Sequence, residues 1–238
     1  MSDPMSDPMS DLGGRSWGIL WVMGIHHVLN RGVEKRNIFF DNQDRARFVH
    51  DMYEFNDTKP AKNTGRTMSD LGGRSLHREL LVDIHGWCLM GNHYHLLLSE
   101  RKEGGLSKFA MKLNVGYAKY FNEKYKRSGF LFQGKTKKIP IRSQAHFQYI
   151  LHYIHLNPLD LSKEYASWRN GSLRNAERAR RHLERYRWSS YLDYCGKKNF
   201  PSILTTQLFS EMPREYARSL ESYLRILETE PAVHPNLE

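Results

Sequence analysis

Cysteine is scarce: Cys88 and Cys195 are the only two in 238 residues. They stand far apart and in no metal-ligand spacing, which excludes a disulfide scaffold and a cysteine zinc site. Both are expected as free thiols in a reducing compartment. Long apolar runs are missing too. No stretch approaches the roughly 20 residues of a membrane-spanning helix, and the longest candidate, residues 17–28, is interrupted by glycines. The opening residues are acidic and polar rather than basic and then apolar, so no secretory leader is expected. Negative charge is the minority: 26 acidic against 36 basic residues leave a net charge of +10. That excess favours a polyanionic partner. Thirteen tyrosines and an aromatic share of 12% supply the flat faces on which single-stranded bases stack.

Residues 1–18 are a low-complexity run of small and turn residues, expected to be disordered. The octapeptide MSDLGGRS, residues 9–16, recurs unchanged at residues 68–75, within a polar loop insertion over 57–77. A sequence scar and a functional repeat explain it equally well. The ordered part is expected to begin with a strand over 21–30, followed by a helix of about fifteen residues capped by Asp41 or Asn42. Two strands, 80–89 and 93–99, follow as an antiparallel hairpin. A long helix over 106–126, a basic strand over 130–141 and a helix over 144–157 complete the order. Pro158 is expected to stop that last helix, because the residue before proline is pushed out of the helical region. Strand, helix, strand, strand, helix, strand, helix predicts an α+β, ferredoxin-like antiparallel sheet with its helices on one face. Residues 19–160 read as the main domain. Residues 161–238 read as a basic, mostly helical extension.

Two short segments about sixty residues apart carry chemistry. In Gly91-Asn92-His93-Tyr94-His95-Leu96-Leu97-Leu98 the strand period of two points His93 and His95 one way and Tyr94 the other. Two imidazoles on one strand face are two arms of a divalent-metal site, or solvated decoration. In His152-Tyr153-Ile154-His155-Leu156-Asn157-Pro158, Tyr153 and Asn157 share a helix face, beside the core stripe of Phe147, Ile150, Leu151 and Ile154. Tyr117, Tyr120 and Tyr149 are rival tyrosines, the first two in an aromatic stripe that packing explains. Arg169, Arg174, Arg178, Arg180, Arg181, Arg185 and Arg187 crowd one stretch, either as a solvated helix paired to Glu177 and Glu184 or as a phosphate-binding arm.

Together these segments resemble the single-tyrosine transposases with a histidine–hydrophobic–histidine (HUH) motif, and more closely the REP-associated tyrosine transposase branch beside the insertion-sequence transposases. The stretches that carry the match are 27–32, 89–98, 117–122 with Gly129 and Gln133, 153–158 and 188–191. The resemblance implies Tyr153 as nucleophile, His93 and His95 as metal ligands, and Asn157 as a third ligand through its side-chain oxygen. It implies Mg2+ or Mn2+ as cofactor; two imidazoles without a carboxylate suit Mn2+ better. It implies cleavage of single-stranded, hairpin-bearing DNA through a 5′-phosphotyrosine link, by a monomer or homodimer in the cytoplasm at the nucleoid. Arg31, Lys135, Lys137, Lys138, Arg142, Arg178 and Arg181 are candidate DNA-backbone contacts, which position a strand without reading its sequence. The alternative is a domesticated protein that binds hairpin DNA without cutting it. A structural histidine cluster in a basic protein of another class is the third reading.

Overall fold

The computed structural model describes residues 24–60, 78–209 and 213–229. The low-complexity N-terminus, both octapeptide copies and most of the 57–77 insertion lie outside the described residues. Four strands form one antiparallel sheet: β1 (Ile25–Arg31), β2 (Val82–Leu89), β3 (His93–Glu100) and β4 (Lys137–Pro140). Their order is β2-β3-β1-β4, the arrangement expected of a ferredoxin-like α+β fold. The long helices are α1 (Asn42–Glu54), α2 (Gly105–Lys124), α3 (Gln144–Leu156), α4 (Ala176–Arg185) and, after a single short turn of helix α5 (Tyr191–Tyr194), α6 (Pro213–Thr229). Asp41 caps α1 by accepting from the Asp44 amide, and Ser143 caps α3 by accepting from the His146 amide.

The helices do not share one face. Val28, Tyr94, Leu96 and Leu98 pack with α1 and α2, whereas Ile25, Cys88 and Leu97 pack with α3. The expectation of helices on one side is therefore corrected. β2 is buried along its whole length and β3 almost so, which requires cover on both faces. Residues after 160 complete the second layer: Trp168, Leu173, Leu183, Tyr191, Tyr216 and Leu220 share one core with α3. β4 is also shorter than expected. Gly134 takes φ +65°, a left-handed conformation that ends extended pairing before Lys137.

α3 sits close to the sheet. The β2–β3 register shifts between Ile84 and Gly86, and a Cβ on Gly86 would lie 2.7 Å from Leu151 Cδ1. Any larger residue there would have to push the end of the Leu151 side chain aside. From the other side, His155 is bonded to the Tyr216 hydroxyl and to Ser190 Oγ, and His152 Nε2 lies 3.3 Å from Ser219 Oγ. These bonds fix α3 between the sheet and α6. The α-helix ends at Leu156, just before Pro158 as expected, but Asn157 is not pushed out of the helical region (φ −50°, ψ −37°), and a 3-10 turn, Asn157–Leu161, follows directly. Both thiols are free, with Cys88 buried.

Burial holds the His152 and His155 imidazoles below their ordinary range, His152 at about 4. The unfolded chain binds these protons near pH 6.5 and the folded chain does not. Stability is therefore full above that pH and falls as pH drops, by up to about 1.4 kcal/mol per pH unit for each histidine. Urea unfolding is expected to show a lower midpoint at pH 5 than at pH 7. An unchanged or higher midpoint would contradict the assignment.

Candidate active site

β3 turns His93 and His95 toward α3 and Tyr94 into the opposite core, where its hydroxyl donates to Asn114 Oδ1 at 2.8 Å. Register sets the neighbours. Arg31 stands opposite His93, and Leu29 opposite His95; directly opposed residues share a face. β1 also delivers His27, whose Nε2 lies 2.9 Å from His95 Nδ1 with the rings stacked at 5.1 Å and 17°.

His95 is fully buried, and its Nε2 has no hydrogen-bond partner. Burial, reinforced by His27, His93, Arg169 and Arg31, holds its imidazole well below the usual range, so the ring is neutral at pH 7. One ring nitrogen held by the protein and the other bare is the state a metal ligand requires. His93 Nδ1 lies 2.6 Å from Asn92 Oδ1. Because Asn92 Nδ2 donates to the Lys35 carbonyl, its oxygen faces His93, and His93 Nδ1 must be the donor. The lone pair of His93 therefore sits on Nε2. Among the described residues no three His, Cys, Asp or Glu side chains are grouped as a metal site. Among the described residues the candidate ligands are the imidazoles of His93 and His95.

α3 places Tyr153 edge-on to both His27 and His95, with ring centroids 5.9 and 6.0 Å away. Tyr153 is 4% exposed and packs within the core that holds Ile150, Leu151 and Ile154, which corrects the expectation that it lies beside that stripe. The turn Ala166–Asn170 lies over it, with the Trp168 ring at 6.0 Å. Tyr153 Oη accepts from Arg169 Nη1 at 2.8 Å. Asn157 is fully buried; its Oδ1 accepts from Arg169 Nη2 at 2.7 Å, and its Nδ2 donates to the Tyr153 carbonyl at 2.8 Å. The oxygen expected as a third metal ligand thus already accepts one bond, from Arg169. Arg169 Nε in turn donates to Asp160 Oδ2 at 2.8 Å, and Asp160 Oδ1 accepts from Trp168 Nε1. Burial opposes the guanidinium charge, but Asp160 and Tyr153 outweigh it and hold Arg169 protonated.

The rival tyrosines have other work. Tyr117 is fully buried in the opposite core, and its hydroxyl donates to the Ile38 carbonyl at 2.6 Å. Tyr120 donates to Asp44 Oδ1, with burial pushing its phenol up to about 12. Tyr149 packs on Tyr223 of α6 at 5.4 Å, and burial raises its phenol further.

The basic residues divide. Arg31 flanks His93, and Lys137, opposite Leu29, shares that face. Lys138, opposite Val28, turns to the other face, where its Nζ donates to Ser107 Oγ of α2. Lys135 and Arg142 are exposed. On α4, Arg181 is paired with Glu177 at 2.9 Å, while Arg178 faces Glu164 at 3.6 Å. Arg180 and Arg181 together hold the Glu177 carboxyl down to about 2. The solvated, paired helix therefore describes α4 better than a row of free cations.

Sequence reasoning missed His27 and the inward role of Arg169. His27 carries the same strand parity as Arg31, but its place beside His95 depends on strand register. Nothing in spacing ties position 169 to 153.

The family model "Transposase IS200 like" matches residues 73–157, a stretch that contains His93, His95, Tyr153 and Asn157. No curated protein matches the chain. A solved structure of a REP-associated tyrosine transposase bound to a REP hairpin is similar at 12% identity with a TM-score of 0.46, over 76% of this chain and 85% of that one. Over residues 73–157, a little over a third of the chain, the sequence is thus similar to the IS200-like transposases.

Proposed function

We propose that this protein is a transposase that cuts and rejoins single-stranded, hairpin-bearing DNA through a covalent link to Tyr153. The observation that carries the reading is the edge-on contact of Tyr153 with His95, whose bare Nε2 is buried in the same place. A hydroxyl is a poor nucleophile at neutral pH, so it must be activated or its target made more electrophilic. His93 and His95 would hold a divalent ion, Mg2+ or Mn2+, which when bound supplies Lewis-acid polarisation of the scissile phosphate. Tyr153 Oη forms a bond to phosphorus as the bond from phosphorus to the 3′ oxygen breaks. The phenolic proton passes to solvent, and the departing oxygen takes one up as a 3′-hydroxyl. Rejoining runs the same exchange backward and needs no nucleotide.

Asn157 Oδ1 carries two lone pairs, so it could join the ion's protein ligands with one while accepting from Arg169 with the other. Arg31 and Lys137, on the histidine face, and Lys135 and Arg142 nearby are the proposed strand contacts. Arg178 and Arg181 join them by exchanging exposed ion pairs, which are weak, for phosphates. One chain supplies both the histidines and the tyrosine, which supports a site complete within a single protomer. A substrate of this kind places the protein at the nucleoid.

The test uses a labelled pool of stem-loop single strands with randomised flanks. With Mn2+ a denaturation-resistant protein–DNA adduct is expected, and with EDTA none. Tight strand binding without an adduct under either Mn2+ or Mg2+ would favour the domesticated hairpin-binding protein.

A further inference from the structure

We propose that Arg169 is a catalytic residue of this reaction, its guanidinium balancing charge on Tyr153 Oη both when that oxygen attacks phosphorus and when it departs. The inference rests on Tyr153 being the nucleophile. Arg169 lies outside residues 73–157, the stretch matched to the family, on a turn that the sequence offers only as one of seven clustered arginines.

Its neighbours on α4 make ion pairs within their own helix, Arg180 and Arg181 both with Glu177. Arg169 instead reaches inward. Nη1 donates to Tyr153 Oη at 2.8 Å, Nη2 to Asn157 Oδ1 at 2.7 Å and Nε to Asp160 Oδ2 at 2.8 Å. The guanidinium plane also lies 4.8 Å from the Trp168 ring. Three directions of the fork are thereby fixed. Such a donor is already oriented before any charge develops on the oxygen it touches, which is the condition for electrostatic stabilisation of a transition state. Asp160 and Asn157 keep the fork aimed. Lysine cannot reproduce this, because its ammonium is a point charge without a planar fork.

The demand falls on both halves of the reaction. In cleavage the phenolic oxygen loses its proton as the bond to phosphorus forms. In rejoining a 3′-hydroxyl attacks phosphorus, loses its proton to solvent, and the electron pair of the breaking bond returns to Tyr153 Oη. A donor on that oxygen lowers both barriers. A residue that merely clamped the turn onto α3 would affect stability and not these two rates.

The experiment measures adduct formation on the same labelled pool in Mn2+, and resealing of accumulated adduct onto an added strand with a free 3′-hydroxyl. Arg169→Ala is expected to slow both by about 100-fold, with strand binding changed by less than about threefold. Added methylguanidine should restore part of both rates. Should Arg169→Ala fail to fold, Arg169→Lys carries the test, with about tenfold losses in both rates expected at an unchanged melting temperature. Wild-type rates in either variant would overturn the inference. So would a loss that methylguanidine does not relieve and that follows a fall in melting temperature. No adduct from the wild type, or an adduct that persists in Tyr153→Phe, would instead remove the nucleophile assignment itself.

Discussion

Tyr153→Phe is expected to leave less than about one part in a thousand of the wild-type rate of adduct formation, with strand binding within about threefold. The substitution removes one oxygen and keeps the ring. The edge contacts with His27 and His95 and the packing on Trp168 therefore persist. What is lost is the acceptor for Arg169 Nη1. Arg169 keeps its bonds to Asp160 and Asn157. The stability cost should be about 1 kcal/mol, a few degrees in melting temperature for a chain of this length. Activity and stability are then cleanly separated. An adduct formed at wild-type rate by Tyr153→Phe would mean that another tyrosine attacks.

The second large effect belongs to His95. His95→Ala removes the imidazole whose Nε2 is buried and bare, together with the group that His27 Nε2 contacts. Mn2+ binding, followed by the loss of its free-ion paramagnetic resonance signal, is expected to weaken at least about 100-fold. Metal-dependent cleavage should fall by roughly 1000-fold, the several kcal/mol that Lewis-acid polarisation supplies. Alanine also opens a cavity in a packed layer, at a cost of a few kcal/mol. His95→Gln, closer in volume, separates the lost ligand from the lost packing. Mn2+ binding as tight in both variants as in the wild type would exclude His95 as a ligand.

Local signals carried the elements that build this site. The period-two pattern around Tyr94 places the two histidines on one face, and the four-residue offset puts Tyr153 and Asn157 on one side of α3. Both readings depend only on neighbours in sequence, where strand and helix geometry is fixed by the backbone. The order of elements likewise led to a ferredoxin-like antiparallel sheet, whose strands lie in the order β2-β3-β1-β4.

What escaped is set by contacts distant in sequence. β2 opens Val82-Asp83-Ile84-His85, the alternation of a strand with one solvated face, so its sequence does not reveal that α3 covers the face away from α1 and α2. The place of His27 depends on register between β1 and β3, which no window of a few residues contains. The fate of Asn157 Oδ1 depends on Arg169, twelve positions on, across a turn whose path is set by Trp168 packing into the core. Pro158 marked the end of α3, but not the conformation of the residue before it. The preference it imposes on Asn157 is modest, and the bonds of Asn157 Nδ2 and Oδ1 hold the backbone helical against it. The arginine cluster shows the same limit: composition counts the charges, but only the fold separates those paired along α4 from the one turned inward.

The most direct measurement is to digest the covalent protein–DNA adduct and locate the nucleotide-bearing peptide by mass spectrometry. A single modified residue is expected, Tyr153, carrying a 5′-linked phosphate, formed with Mn2+ and absent with EDTA. A phosphate mapped to Tyr149, Tyr117 or any other side chain, or an adduct that forms as fast in EDTA, would contradict it.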